Sequence, residues 1–434
     1  MKRLTALLLA LCLMAGLSAC TGSGKQENTA ADPSGMTINI LWQEEDTYRF
    51  WELPLQKFAE KYPDVEVKLE TNAEAYSAIR NLLNIGEAPD IFYSWISDVD
   101  YYGFANEGLL YPVDDVLAQQ NYEETGTLGD TVFQAGVSLG ELNGKHYFLP
   151  ITKLVASAFY DQALFAENGW TMAENWGTFS ALCDQIAAAG VTPLVYAGAY
   201  PFMTADALLM PMVYNLDPAA YDAINANTEG AWKSDAVRTA VGRFAGMVAD
   251  GYVNPGSLSM DHIQSQIDFI SHKDAFVSSG SWLESEMGDQ WPDGFELTPL
   301  FAPAEDGMDK TSTTAVVECM ILPKQADDAK MEYVKELLRM FYSEENAKYV
   351  SEQTGYLMAL DKTSDEVLVN LPGSVQTIWN KIDAEKVEVI SAPYKVKYKE
   401  VLNELNNCIN ALVQSEIDVD GFCERMDTVA QGVN

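Results

Sequence analysis

Basic residues are scarce in this chain. Its 434 residues include 64 aspartates and glutamates against 27 lysines and arginines, a formal net charge of −37. A polyanion partner requires clustered cations to neutralise its phosphates, so nucleic acid is excluded. Histidine is rarer still: His146, His262 and His272 stand far apart and give no relay for nucleophilic catalysis. Gly-x-Ser-x-Gly, His-Glu-x-x-His and a glycine-rich dinucleotide motif are all missing, and no cofactor is expected. The six cysteines form no Cys-x-x-Cys pair and have no histidine at ligand spacing, so no metal site is expected. Cys183, Cys319, Cys408 and Cys423 read as small buried residues, although a Cys408–Cys423 bridge is sterically conceivable in an exported chain.

Long apolar runs are also missing. Lys2 and Arg3 precede an apolar segment from Leu4 to Leu17, shorter than the about 20 residues needed to span a bilayer as a helix. It reads as a signal peptide over residues 1–19, and Leu17-Ser18-Ala19-Cys20 resembles the lipobox of bacterial lipoproteins. Cys20 would then be the acylated first residue of the mature chain, holding it to the outer face of a cell membrane. Gly22-Ser23-Gly24-Lys25 looks like the end of a phosphate-binding loop, but Gln26 follows the lysine and no strand precedes it. Residues 20–36 are mostly small or polar and suit a tether. The remainder is too long for one core, which predicts two lobes.

What is present is a repeated strand–helix pattern. Met36 to Trp42 alternates apolar residues, and Trp51, Leu55, Phe58 and Tyr62 share a helix face that Pro63 ends. Val65, Val67 and Leu69 then mark a second strand, and Tyr76, Ile79 and Leu83 lead as a helical stripe to a third at Ile91-Phe92-Tyr93. Successive βαβ units predict an α/β fold with a parallel sheet. Helical stripes recur at Phe179, Leu182 and Ile186, at Val237, Val241, Phe244 and Val248, at Val334, Leu337, Leu338 and Phe341, and at Leu402, Leu405, Ile409 and Leu412. Strands are expected over Thr192–Tyr196, Asp274–Ser278 and, as one piece, Thr313–Pro323. The run from Tyr147 to Tyr160, broken by Pro150, could carry the chain to a second lobe.

Seven segments in order resemble the family 1 extracellular solute-binding proteins of ABC transporters, the group that includes maltodextrin-binding protein. They are Phe58-Ala59-Glu60-Lys61-Tyr62-Pro63-Asp64-Val65; Gly86-Glu87-Ala88-Pro89-Asp90-Ile91 with Gly108-Leu109-Leu110; Asn143-Gly144-Lys145-His146-Tyr147-Phe148-Leu149-Pro150; Phe159-Tyr160 with Leu164-Phe165; Asn175-Trp176-Gly177-Thr178-Phe179; Phe269 to Lys273 with Gly280-Ser281-Trp282; and Thr354-Gly355-Tyr356-Leu357. Three positions depart from the family: His272 stands for a usual glycine, Asp161 for asparagine and Met358 for proline. The resemblance implies a two-lobed, type II periplasmic-binding-protein-like fold with its ligand cleft between the lobes. Lobe I is expected over 37–149 and 311–355, and lobe II over 150–310 and 356–434, with the C-terminal helices. It also implies a monomeric, non-enzymatic receptor that closes on a carbohydrate, an oligosaccharide being expected, and hands it to ABC permease transmembrane subunits.

A sugar presents C–H ring faces and a rim of hydroxyls, so its site needs flat aromatics beside carboxylates or amides. Trp42 and Glu44 follow the first strand at its carboxyl end, where open sheets usually bind ligands, although acidic residues there also suit a helix N-terminus. Tyr93, Trp95 and Asp98 follow the third strand, in a loop that carries ligand contacts in the family. Trp282 matches a family position that stacks on a sugar ring. Tyr200 and Phe202 fall in a family binding loop, and Trp379 and Tyr394 where late residues close over the ligand. Trp232 and Trp291 read as structural. Two other readings stand beside this one. A surface sensor or adhesin would share the fold without a permease. A glycoside hydrolase would need two carboxylates roughly 5–10 Å apart, and nothing among the acidic residues singles out such a pair.

Overall fold

Parallel pairing of the first three predicted strands organises the first lobe. The computed structural model describes residues 35–433 except 43–45, 73–74, 96–98, 174 and 325–327, so Cys20, Glu44 and Asp98 lie outside the described residues. In chain order the strands are β1 (Met36–Trp42), β2 (Val65–Thr71), β3 (Ile91–Trp95), β4 (Glu141–Leu142), β5 (Lys145–His146), β6 (Phe148–Pro150), β7 (Leu154–Asp161), β8 (Thr192–Val195), β9 (Asp274–Gly280), β10 (Leu297–Leu300), β11 (Thr311–Val316), β12 (Glu318–Ile321) and β13 (Val387–Ile390). One sheet has the order β2-β1-β3-β12-β6, the other β13-β11-β7-β9-β8 with β10 added against β7. β1 runs parallel to both β2 and β3, while β12 inserts antiparallel between β3 and β6.

The helical stripes bury the faces their spacing predicts. Asn175 and Thr178 form a reciprocal capping box for the helix Trp176–Ala188, which buries Phe179, Leu182 and Ile186. Ser234 caps the helix Asp235–Ala249, and Val237, Val241 and Phe244 turn inward. Val334, Leu337, Leu338 and Phe341 are fully buried on the helix Asp328–Phe341. No helix among the described residues is long and apolar enough to cross a membrane. Cys408 and Cys423 are buried free thiols, not a bridge, and burial pushes Cys408 up to about 12.

The passages between lobes differ from the sequence reading. Thr313–Pro323 is not one strand: β11 pairs with β7 and β13 in the second sheet, the chain crosses at Val317, and β12 joins the first. Thr311 therefore does not begin the return to lobe I. Likewise the run from Tyr147 divides into β6 and β7 on either side of Ile151–Lys153. The helix Asp365–Leu368 still packs on the helix Glu344–Thr354, whereas the helix Gly373–Asp383 packs on β10 and β13. The last passage is thus completed between residues 368 and 373, past the expected Gly355–Tyr356.

These passages read as strand because they are paired and buried like strand. Ile151 N–H donates to the Glu318 carbonyl at 2.8 Å, Lys153 N–H to Leu357 at 2.8 Å and Ala359 N–H to Ile151 at 2.9 Å. The first two crossings and the segment Leu357–Ala359, which precedes the third, are therefore sewn into one short ladder.

Two departures from the family meet in space. His272 adopts a left-handed backbone (φ 56°), where glycine is the unstrained choice. Its ring stacks on Phe295, centroids 5.4 Å apart, and its Nε2 lies 2.9 Å from Asp161 Oδ2. The other Asp161 oxygen accepts from Ala163 N–H and Glu296 N–H. Met358 is buried, with its sulfur 3.6 Å from the Asn346 amide nitrogen.

Asp274, buried at the start of β9, supplies a pH-dependent term. Burial above all, with the nearby Asp268 charge, pushes its carboxyl group up to about 6, although Asn254 donates to both oxygens at 3.0 and 3.1 Å. A folded pKa above the unfolded value near 3.8 means that this stabilisation is complete below about pH 4 and lost as pH rises through 6. Asp274→Asn cannot ionise. Its stability relative to wild type should therefore rise between pH 4 and 7, by about 3 kcal/mol at most, measured by denaturant unfolding at each pH. A flat difference would show that Asp274 keeps an ordinary carboxylate pKa.

Candidate functional site

The carboxyl ends of β1 and β3 meet at the seam between lobes, and register brings their aromatics together. Ile40 pairs with Ile91 and Leu41 with Phe92, so Trp42 falls beside Tyr93. Their rings stack at 4.4 Å and 21°, and Trp51 meets Trp42 edge-on at 5.5 Å. Both Trp42 and Tyr93 are fully buried in the first lobe. Neither is the open platform that its position at a strand end suggests, because each ring covers the other.

Beneath that stack lies a buried carboxylate. Glu318, 1% exposed, is the first residue of β12. Tyr93 O–H donates to its Oε1 and Thr152 O–H to its Oε2, both at 2.5 Å. The carboxyl group is thereby bonded to one side chain from lobe I and one from the first crossing. Lys153, next in the chain, sends its ammonium to the Asp361 carbonyl at 3.1 Å and lies 4.8 Å from the Trp379 ring and 5.3 Å from Phe133. Burial lowers its pKa, partly offset by the Asp361 and Asp383 charges. Trp379 is thus packed in the hinge, 5% exposed.

Two other predicted residues do face each other across the lobes. Trp95 ends β3, and Trp282 follows β9; their ring centroids are 6.1 Å apart at 67°. Trp282 is aimed by its neighbours. Ser281 exchanges hydrogen bonds with Val155, its N–H donating at 2.9 Å and its Oγ accepting at 3.2 Å. A Cβ on Gly280 would lie 2.1 Å from the Trp282 ring, so only glycine lets the indole fold over the strand end.

Phe202 lines the same interlobe pocket as Trp95, together with Leu139, Val317, Lys395 and Leu402. Tyr200, 41% exposed, touches Phe202 at 6.3 Å and the His262 ring at 5.6 Å. His262 lies 2.8 Å from Glu286, whose second oxygen accepts from Gln266 at 2.7 Å. Tyr394 is buried under this wall, edge-on to Trp232 at 5.6 Å. The pocket volume is about 30 Å³, far below the roughly 300–1,000 Å³ of a ligand site. Any larger solute needs the lobes apart.

Trp95, Trp282, Phe202 and Tyr200 thus gather at the seam, while Trp42, Tyr93, Trp379 and Tyr394 are packed inside. The sequence reading passed over Glu318, Thr152, Lys395 and Asp206. A signal for Lys395 exists in Tyr394-Lys395-Val396-Lys397-Tyr398-Lys399, a run of alternating lysines in a chain poor in them. Among the described residues no group of three His, Cys, Asp or Glu side chains could hold a metal ion. His146, His262 and His272 each pair with a different carboxylate, Asp114, Glu286 and Asp161, and form no relay.

A family model described as bacterial extracellular solute-binding protein matches residues 42–348. The multiple sugar-binding protein of Streptococcus mutans is 22% identical over 182 residues, 42% of this chain and 40% of that protein. The maltotriose-binding protein of Pyrococcus abyssi is 25% identical over 119 residues, 26% of this chain and 24% of that protein. The aligned part therefore spans less than half the length of either relative. Among solved structures, a chitin oligosaccharide binding protein superposes with a TM-score of 0.75 at 18% identity, covering 93% of this chain and 99% of its own. At that identity the likeness is one of fold.

Proposed function

Because the chain belongs to the bacterial extracellular solute-binding protein family, we propose that it captures a carbohydrate, an oligosaccharide, between its lobes and delivers it to the transmembrane subunits of an ABC importer. The observation that carries this reading is the Trp95–Trp282 pair, one indole from each lobe, beside Phe202. Indoles offer flat apolar faces to the C–H faces of a pyranose. The sugar-binding relatives and the shared fold support it.

In this mechanism the lobes part, admit the glycan between the two indoles, and close by rotation about the sewn crossings. Closure excludes water, and the joined outer surface of both lobes becomes what the permease recognises. No covalent step is involved. Acylated Cys20 would hold the chain, as a monomer, beside its permease at the outer face of the membrane.

The test is a thermal-shift screen of the chain from Lys25 onward with neutral oligosaccharides, repeated with Trp282→Ala. A glycan at a hundred times its Kd stabilises the native state by about 2.7 kcal/mol. The expected result is a raised melting temperature for one glycan class in wild type and none in the variant. A shift with amino acids or peptides, and with no glycan, would overturn the assignment.

A further inference from the structure

Lys395 is the one charged residue lining the interlobe pocket among the described residues, in a wall otherwise made of Trp95, Phe202 and aliphatic side chains. It comes from the short helix Pro393–Lys397 of the second lobe, whose Val396 packs on the first-lobe cluster around Leu139. Its ammonium is paired with Asp206, which is 1% exposed. Asp206 in turn lies in a single wide π-helical turn, Ala205–Leu209, a rare geometry that recurs at functional sites.

The pair is incompletely satisfied. Asp206 Oδ1, Thr204 Oγ1 and the Tyr394 hydroxyl are buried with no hydrogen-bond partner among the described residues. An ammonium carries three donors, and Asp206 takes one. A buried polar atom without a partner is costly, and three of those found among the described residues lie on Asp206 and on residues within two positions of Asp206 or Lys395.

We propose that Lys395, held by Asp206, is a specificity-determining residue that donates to a hydroxyl or ring oxygen of the bound sugar and selects neutral glycans over uronic acids. This rests on the carbohydrate reading above and deepens it. Because Asp206 already balances the ammonium, a neutral oxygen can accept from Lys395 without disturbing the pair. A sugar carboxylate would compete with Asp206 and leave a buried negative charge in excess. The aromatic walls take the ring faces, and Lys395 fixes orientation.

Titration calorimetry with maltotriose, raffinose, chitotriose and trigalacturonate tests it on wild type, Lys395→Met and Asp206→Asn. Lys395→Met should weaken the neutral glycan that binds wild type by about 10- to 100-fold, as loss of a charged hydrogen bond does. Asp206→Asn leaves the ammonium uncompensated and should shift preference towards trigalacturonate, which a merely structural role would not produce. The double variant Lys395→Met/Asp206→Leu removes the pair together; it should fold and bind as weakly as Lys395→Met even if the single variant unfolds. Neutral-glycan affinity within about threefold of wild type in both lysine variants, or trigalacturonate as the tightest wild-type ligand, overturns this inference alone. Binding of none of the four glycans overturns the carbohydrate reading with it.

Discussion

Gly280→Ala expels the Trp282 indole from its seat, destabilises the protein by about 1–3 kcal/mol and removes the glycan binding proposed above. The backbone at Gly280 would tolerate alanine; the conflict is with the ring, whose Cζ3 and Cη2 atoms would lie 2.1 and 2.3 Å from the new carbon. Real carbon atoms do not approach so closely, and the indole is the part that can move. Once displaced it no longer opposes Trp95. Denaturant unfolding, tryptophan emission and glycan titration read the three consequences. A double-mutant cycle isolates the cause. In a Trp282→Ala background the same substitution should cost almost nothing, and an equal cost there would mean that something other than the ring fills that space.

Glu318→Ala should be the most destabilising substitution at the hinge, at about 3–5 kcal/mol. It removes the hydrogen bonds that the buried Tyr93 and Thr152 hydroxyls donate to Glu318 and opens a cavity beneath the Trp42–Tyr93 stack. Glu318→Gln should cost about 1 kcal/mol. Its amide oxygen still accepts from Tyr93, and the Thr152 hydroxyl can rotate to accept from the amide nitrogen. Urea unfolding of the pair, with wild type, gives the ordering. Equal losses for alanine and glutamine would mean that the negative charge, not the hydrogen-bonding shape, is what the hinge requires.

The first two strands and the helical stripes were legible because each alternates a buried and an exposed side, and the third because it is a short, wholly apolar run after a proline. The crossings were not. Ile151–Lys153 is paired and buried and Val317 is buried, so in sequence they continue the strands on either side. The aromatic residues divide for a related reason. Periodicity placed Tyr93 and Trp95 on one face of β3, but could not say that Tyr93 is covered by its register neighbour Trp42 whereas Trp95 reaches the second lobe. Lys395 and Asp206, far apart in sequence, meet only through the fold. The departures at Asp161 and His272 are 111 residues apart in sequence, and only the fold brings their side chains into contact.

The position of β12 sets an order on biogenesis. It lies between β3 and β6, yet it is made long after both. Residues up to Pro150 therefore leave the ribosome as two strand edges that have no partner until Glu318–Ile321 follow. At ordinary rates of synthesis the delay is roughly ten seconds or more. Unpaired edges of that kind aggregate when left exposed. A chain that cannot close its first sheet until three quarters of it exists keeps those edges open through most of its synthesis, and neither lobe can be excised and expressed as a continuous piece.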